Sequence, residues 1–238
     1  MKSIIHKANT RGFADHGWLK SYHTFSFASY HNAERNNFGM LRVLNDDIVA
    51  PKMGFGKHPH QNMEIISIPI TGALSHKDSM GNKRAIEVGE IQVMSAGTGL
   101  THSEFNDSNT DSVNFLQLWI IPETTGVKPY YNQRNFDTSK QKNSLQTVVA
   151  PIDKLEGKAL PINQQAYIYR VDLEVKQSID LTVKSANNGF YIFVVSGEVV
   201  VDNKRLDSRD AIGIYDTANV SIAANKASNL IIIEVPMQ

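Results

Sequence analysis

The stretch "ISIPITGALSH", from Ile66 to His76, contains two short apolar segments joined at a single glycine. Short β-type segments that flank a glycine turn are typical of a β-hairpin. A similar stretch, "FVVSGEVVVD", runs from Phe193 to Asp202 in the other half of the chain. This internal repeat predicts that the two halves of the chain fold in the same way.

The repeat continues beyond each hairpin. "VGEIQVMSA" (88–96) resembles "SRDAIGIYD" (208–216), and each half closes with an apolar strand that ends in a proline, Pro122 or Pro236. The residues that follow Pro122 are polar and rich in turn formers, as in a connecting segment. The predicted organisation is an N-terminal barrel at 1–122, a linker at 123–143 and a second barrel at 144–238.

The rest of the chain also has the pattern of a β protein. Short segments rich in Ile, Val, Phe and Tyr alternate with glycine and with Asn, Asp or Ser turns. Strands at this spacing, with few stretches of helical period, predict an all-β fold of sandwich or barrel type. Helix is expected only in short pieces near 33–36 and 151–155.

Composition excludes several classes of function. The chain is 41% hydrophobic and 20% charged, with a formal net charge of +0, so it lacks the basic excess of proteins that bind nucleic acid or anionic membranes directly. It has no cysteine, which excludes disulfides and thiolate metal sites. The N-terminal residues contain no signal-peptide core, and the apolar runs are too short to cross a membrane. A cytoplasmic location is expected.

The histidines are distributed unevenly. All eight lie in the first half of the chain, at positions 6, 16, 23, 31, 58, 60, 76 and 102. His58 and His60 are two residues apart, so an extended strand would direct both to one face, and His102 with Glu104 repeats this spacing. Three imidazoles and one carboxylate form a suitable nitrogen and oxygen site for a divalent transition metal.

The expected cofactor is therefore one divalent metal ion in the first barrel. Such a donor set suits Fe(II), which we expect, and it also accepts Zn, Ni, Cu, Mn or Co. Aligning Gly72 with Gly197 places Val183 and Ser185 where the first histidine pair stands. The second barrel is therefore predicted to lack metal ligands.

Four motifs in this order resemble the pirin family, and the bacterial pirin-like quercetinases within it most closely: "HGWLKSYHTFSFASY", "GFGKHPHQNMEI", "HKDSMGN" and "MSAGTGLTHSEFN". The resemblance is dense in the N-terminal half and limited to architecture in the C-terminal half. It implies a bicupin, that is, two tandem cupin (jelly-roll) barrels. It also implies a metal ion in the first barrel, held at the positions of His58, His60, His102 and Glu104.

Two candidates exist for the carboxylate ligand. A typical cupin takes it from the first motif, which would be Glu64, whereas the pirin pattern takes it from Glu104. Strand alternation leaves both open, and the closer resemblance favours Glu104. Glu64 is then expected to hold the far N–H of a metal-bound imidazole.

The remaining histidines of these motifs have simpler interpretations. His76 precedes "DSMGN", which is turn chemistry, so a surface position at a hairpin tip is expected. His16 and His23 flank Trp18, and they are predicted to belong to an arm that packs over the first barrel without binding metal.

The resemblance implies a function. The expected enzyme is a quercetin 2,3-dioxygenase, which uses O2 to cleave the heterocyclic ring of a flavonol with release of CO. Glu104 is its candidate catalytic base, with Glu64 as the alternative if it approaches the metal. The expected partners are a small aromatic flavonol and O2, with no nucleic acid, and the chain is expected to be a monomer. The alternatives are an iron-responsive regulator of transcription that binds a protein partner, with incidental or no dioxygenase activity, and a metal-dependent cupin enzyme that acts on another enol.

Overall fold

The structure is a computed structural model that describes all residues from 1 to 238. The chain forms 22 β-strands and no α-helix. Its only helical elements are two single 3-10 turns, Ala8–Thr10 and Thr138–Gln141. The prediction of helix near 33–36 and 151–155 is wrong, because these residues form turns and bends between strands.

The strands cover both halves of the chain. In the first half they are β1 (Lys2–His6), β2 (Gly12–Asp15), β3 (Leu19–His23), β4 (Leu41–Val49), β5 (Gly54–His60), β6 (Glu64–Thr71), β7 (Ala73–Asp78), β8 (Lys83–Glu87), β9 (Glu90–Ser95), β10 (Leu100–Asn106), β11 (Val113–Ile120) and β12 (Tyr130–Asn135). In the second half they are β13 (Gln146–Pro151), β14 (Leu160–Ile162), β15 (Tyr167–Leu173), β16 (Ser178–Thr182), β17 (Asn188–Ser196), β18 (Glu198–Val201), β19 (Lys204–Asp207), β20 (Ala211–Tyr215), β21 (Asn219–Ala224) and β22 (Ser228–Pro236).

Each half builds one large and one small sheet. The large sheets have the orders β12-β9-β6-β11-β4-β3-β2 and β1-β20-β17-β22-β15-β13-β14. The small sheets have the orders β5-β10-β7-β8 and β16-β21-β18-β19. The small sheets and the central strands of the large sheets correspond, and the two halves differ at the outer strands, where β2 and β3 are antiparallel but β13 and β14 are parallel. This arrangement confirms the all-β bicupin fold with two similar barrels.

The edge strands β1 and β12 depart from the predicted division of the chain. The N-terminal strand β1 pairs with β20 of the second barrel, from Lys2 opposite Tyr215 to His6 opposite Ala211. Strand β12 lies within the predicted linker 123–143 and pairs with β9 of the first barrel. A sheet edge exposes unpaired N–H and C=O groups, and each of these strands satisfies one such edge. The first 122 residues therefore contribute a strand to the second barrel.

The two large sheets pack against each other. Alternation along β6 and β11 directs Ile66, Ile68, Leu116 and Leu118 out of the first barrel and into an apolar cluster of 25 buried residues shared by both barrels. A second cluster of 20 residues fills the interior of the second barrel. The interior of the first barrel holds only clusters of six and four residues, which leaves room for polar groups.

Asp46 forms a buried polar link between the barrels. It lies on the outer face of β4, where its carboxylate accepts hydrogen bonds from Arg11 Nη1 (3.2 Å), Arg209 Nη1 (3.3 Å) and Asn114 Nδ2 (2.8 Å). The side chains of Asp46 and Arg11 are about 95% buried. Arg209 comes from the second half of the chain, so this carboxylate neutralises charge from both sides of the interface.

Replacing Asp46 with alanine is expected to lower the free energy of unfolding by about 3 kcal/mol, because it leaves a buried arginine without its counter-ion. Urea denaturation measures the change. Lys2→Ala is the control, since Lys2 pairs with Asp216 at 2.9 Å on the exposed surface and its loss should leave the midpoint nearly unchanged. Equal effects of the two substitutions would contradict a stabilising role for the buried link.

Candidate metal centre

The interior of the first barrel contains a cavity of about 430 Å³. This is within the usual size range of small-molecule sites. Its polar lining is concentrated on β5 and β10 on one side and on β3, β4 and β11 on the other. Aromatic rings complete the walls, namely Trp18, Phe27, Phe55 and Trp119.

Three of the predicted ligands meet at this cavity. His58 and His60 lie on β5, an edge strand, where Pro59 between them costs no ladder hydrogen bond. His102 on the neighbouring strand β10 is directly opposite His58. The ring centroids of the three histidines are 4.4 to 4.9 Å apart, and one ring nitrogen from each lies within 4.8 Å of the others.

The state of these rings fits a metal ion. His58 Nδ1 is 2.8 Å from the Gly56 carbonyl oxygen, to which it can donate, so that Nε2 is left free. Both ring nitrogens of His102 are buried without any hydrogen-bond partner. Burial is the main cause that lowers the pKa of His60 to about 4 and that of His102 to about 2, and the charge of the neighbouring histidines is the second cause. Neutral imidazoles with unused lone pairs are what a divalent transition metal requires.

Glu104 lies beside the histidine cluster, on β10. It is buried, and its carboxylate accepts hydrogen bonds from Ser67 Oγ (3.1 Å) and Gln117 Nε2 (2.8 Å). Burial raises its pKa to about 7, although both hydrogen bonds oppose the rise. A Glu104 oxygen lies within 4.8 Å of nitrogens of His102 and His76, but Glu104 is not part of the tight group of three histidines on β5 and β10. The proposed fourth ligand therefore adjoins the cluster on the His102 side.

Glu64 is not near the histidines. Its side chain is fully buried on the outer face of β6, opposite to Ser67, and accepts hydrogen bonds from Ser95 Oγ (2.5 Å), Tyr130 Oη (3.3 Å) and the Asn163 backbone N–H (3.3 Å). The expectation that Glu64 holds an imidazole N–H is wrong. Residues 61–63 carry the chain from the small to the large sheet, so the alternation of β5 does not extend to position 64.

His76 is not at the surface, and the expectation of an exposed hairpin tip is also wrong. It lies on β7 directly opposite Glu104, is 1% exposed, and its Nε2 is 3.1 Å from Asp78 Oδ2. The turn residues that follow, 79–81, are exposed. The prediction of a turn after His76 is correct, but strand alternation directs His76 and Asp78 inward and Lys77 outward.

A polar wall on β3 and β4 was not found from the sequence. Ser21 Oγ donates a hydrogen bond to Asp47, and His23 Nδ1 is 3.0 Å from Asn45 Oδ1. All four side chains line the cavity, and burial raises the pKa of Asp47 to about 7. His16 and His23 lie on the hairpin β2–β3, which extends this sheet by pairing with β4 and does not form a separate arm over the barrel. Both line the cavity, outside both groups of close metal-binding atoms. The signal in the sequence was a run of polar residues, "NDD", within the apolar strand β4.

The second barrel has no comparable cluster. Val183 and Ser185 follow the end of β16, and the strand that corresponds to β10 directs Val220, Ile222 and Ala224 into an apolar core. Both groups of side chains that could hold a metal ion lie in the first barrel.

Two cupin barrels, with a histidine cluster inside the first, define the class of protein as a bicupin with one candidate metal centre. A family model described as "Pirin" matches residues 5–120, and one described as "Quercetinase C-terminal cupin domain" matches residues 148–235. The chain belongs to the pirin family. No helix of the structure is long and apolar enough to span a membrane.

Relatives cover nearly the whole chain. It is 41% identical to the quercetin 2,3-dioxygenase of Escherichia coli K12, over 98% of each chain, and 41% identical to a putative quercetin 2,3-dioxygenase of Zymomonas mobilis, over 93% of each. The crystal structure of YhhW from Escherichia coli has a TM-score of 0.94 and 38% identity, covering 100% of this chain and 99% of that one. A structure of bacterial pirin YhhW in complex with nickel(II) has a TM-score of 0.93 and 37% identity, covering 100% of both chains.

Proposed function

We propose that this protein is a metal-dependent dioxygenase that cleaves the heterocyclic ring of flavonols such as quercetin with O2 and releases CO. The observation that carries the proposal is the convergence of His58, His60 and His102, with both His102 nitrogens unpaired, on an aromatic-lined cavity. Relatives over nearly the full length that are named as quercetin 2,3-dioxygenases support the choice of reaction.

We propose that His58, His60, His102 and Glu104 hold one divalent transition metal ion. This nitrogen and oxygen donor set accepts Fe(II), which we expect, as well as Ni(II) and other ions of the first transition row. A relative with 37% identity forms a complex with nickel(II), which supports a divalent transition metal as the cofactor. When bound, the ion would lower the pKa of a substrate hydroxyl group and fix its position.

Glu104 is the proposed base. Its carboxyl group lines the cavity beside the histidine cluster, where it can accept a proton from the 3-hydroxyl group of a bound substrate. Ser67 and Gln117 donate to its two oxygens and so hold the group in one orientation. Deprotonation makes the flavonol electron-rich, which is the state that reacts with O2.

The aromatic walls suit a flat aromatic substrate. Trp119 contacts His60 edge-on, with ring centroids 4.9 Å apart, and Trp18 packs edge-on against Phe55 at 5.4 Å. These rings give the cavity apolar walls beside the histidine cluster, and Asn45, which also lines the cavity, offers hydrogen bonds to substrate hydroxyl groups. An apolar cavity with a few placed polar groups matches the chemistry of a polyphenol.

An oxygen electrode tests the proposal directly. Protein loaded with one equivalent of Fe(II) or Ni(II) is expected to consume O2 when quercetin is added, with loss of the flavonol absorbance and release of CO. The metal-free protein is the control. A fully loaded protein that is inert toward a panel of flavonols would contradict the proposal, and would favour the regulatory alternative or another enol substrate.

A further inference from the structure

The buried pair His76 and Asp78 has no part in the proposed reaction so far. The Asp78 carboxylate receives four hydrogen bonds: from the backbone N–H of Met80 (2.9 Å) and of Asn82 (3.0 Å), from Asn82 Nδ2 (2.8 Å) and from His76 Nε2 (3.1 Å). A carboxylate surrounded by donors is ionised and acts only as an acceptor. His76 Nε2 must therefore carry a hydrogen, and in the neutral ring Nδ1 then carries a lone pair.

The lone pair of His76 Nδ1 has no donor. This atom is buried and makes no hydrogen bond, and the same is true of both ring nitrogens of His102. The ring centroids of His76 and His102 are 5.4 Å apart, and a nitrogen of each ring lies within 4.8 Å of the other. Buried polar atoms rarely stay unpaired, so an acceptor without a donor next to a ring with an unpaired N–H calls for an explanation.

A metal ion on His102 supplies that explanation. A metal-bound histidine uses one nitrogen for the metal and normally donates its other N–H to a nearby acceptor, which fixes the tautomer and the orientation of the ring. His58 has such an acceptor in the Gly56 carbonyl oxygen. For His102, no acceptor takes this part, and the neighbouring ring is His76, whose Nδ1 has no hydrogen-bond partner.

We propose that His76 and Asp78 form a positioning pair for the metal centre, in which Asp78 orients His76 and His76 Nδ1 accepts the N–H of metal-bound His102. This inference rests on the proposed metal centre. It adds two residues that do not bind the metal ion themselves but orient one of its ligands. His76 does not line the cavity, whereas His102 and Glu104 do. His76 is therefore placed behind His102 and not at the face that substrate reaches.

Nickel(II) affinity tests the proposal without an activity assay. His76→Leu fills the same space and removes the acceptor, and it is expected to weaken nickel(II) binding about 10- to 100-fold in a chelator competition. His76→Gln offers a carbonyl oxygen to His102 and an amide N–H to Asp78, so it should recover most of the affinity. Lys77→Ala, the exposed neighbour on the same strand, is the control and should bind as the wild type does.

X-ray absorption spectroscopy of the nickel(II)-loaded proteins gives the number of imidazoles bound to the metal ion. We expect wild type and His76→Leu to bind nickel(II) through the same number of imidazoles, and only His76→Leu to have a reduced nickel(II) affinity. Loss of one imidazole in His76→Leu would show that His76 is itself a ligand and would overturn the positioning role, as would an affinity within twofold of wild type. If wild-type protein binds no nickel(II), the proposed metal centre itself fails, an outcome that is distinct from either of these.

Discussion

Replacing His58 with alanine is expected to abolish stoichiometric metal binding and, with it, flavonol-dependent oxygen uptake. Residues that merely orient a metal ligand typically contribute 10- to 100-fold to affinity or activity, so loss of a ligand should cost more than about 100-fold. The ring of His58 lies at the cavity and is half-buried, so its removal should leave the barrel folded. Elemental analysis of purified protein and an oxygen-electrode trace measure the two effects.

Two controls accompany this substitution. Lys57→Ala changes the exposed neighbour on the same strand, and Ser185→Ala changes the position that the sequence alignment pairs with His60 in the second barrel. Both should retain one equivalent of metal. Two results would contradict a single metal centre in the first barrel. One is a full equivalent of metal in His58→Ala, and the other is loss of metal from a folded Ser185→Ala variant.

The fold could be predicted from the sequence because its decisive features are local. The hairpin β6–β7 and its counterpart β17–β18 each turn at a glycine with positive φ, Gly72 (75°) and Gly197 (99°). L-residues with a side chain rarely adopt this conformation, so the glycine marks the turn in the sequence. Strands of period two on each side then predict two similar barrels.

The exchange of edge strands could not be predicted in the same way. Whether β1 pairs with the first or the second barrel depends on which sheet edge is free, and that is a property of the assembled fold. The residues of β12 are equally uninformative, because "YYNQRN" is polar and half-exposed along its length. Its partner β9 is defined only once the first barrel has formed.

The candidate site shows the same limit. Alternation states which residues share a face, as for His58 with His60 and His102 with Glu104, but it does not state whether that face is inside. His76 was therefore assigned to the surface from its turn, although the packing of the small sheet buries it. Alternation places position 64 on the same face as His58 and His60, but this count does not hold, because the chain changes sheet between β5 and β6.

Glu104→Gln and Glu64→Gln make the same chemical change at two buried carboxyl groups, and only the first is expected to weaken metal binding and catalysis. Glu104→Gln removes a carboxylate oxygen that lies within 4.8 Å of a His102 ring nitrogen. Metal affinity should fall at least about tenfold. Loss of the proton acceptor should lower kcat by a further factor of about 10² to 10⁴.

Glu64→Gln should leave metal content and kcat unchanged, because Glu64 contacts Ser95, Tyr130 and Asn163 and no histidine. Its expected cost is about 1 kcal/mol in the free energy of unfolding, from weakened hydrogen bonds at the barrel interface. Metal analysis, kcat with quercetin and urea denaturation of both variants separate the two roles. A reversed ranking, with metal lost in Glu64→Gln and kept in Glu104→Gln, would mean that the carboxylate ligand comes from the first motif, as in a typical cupin.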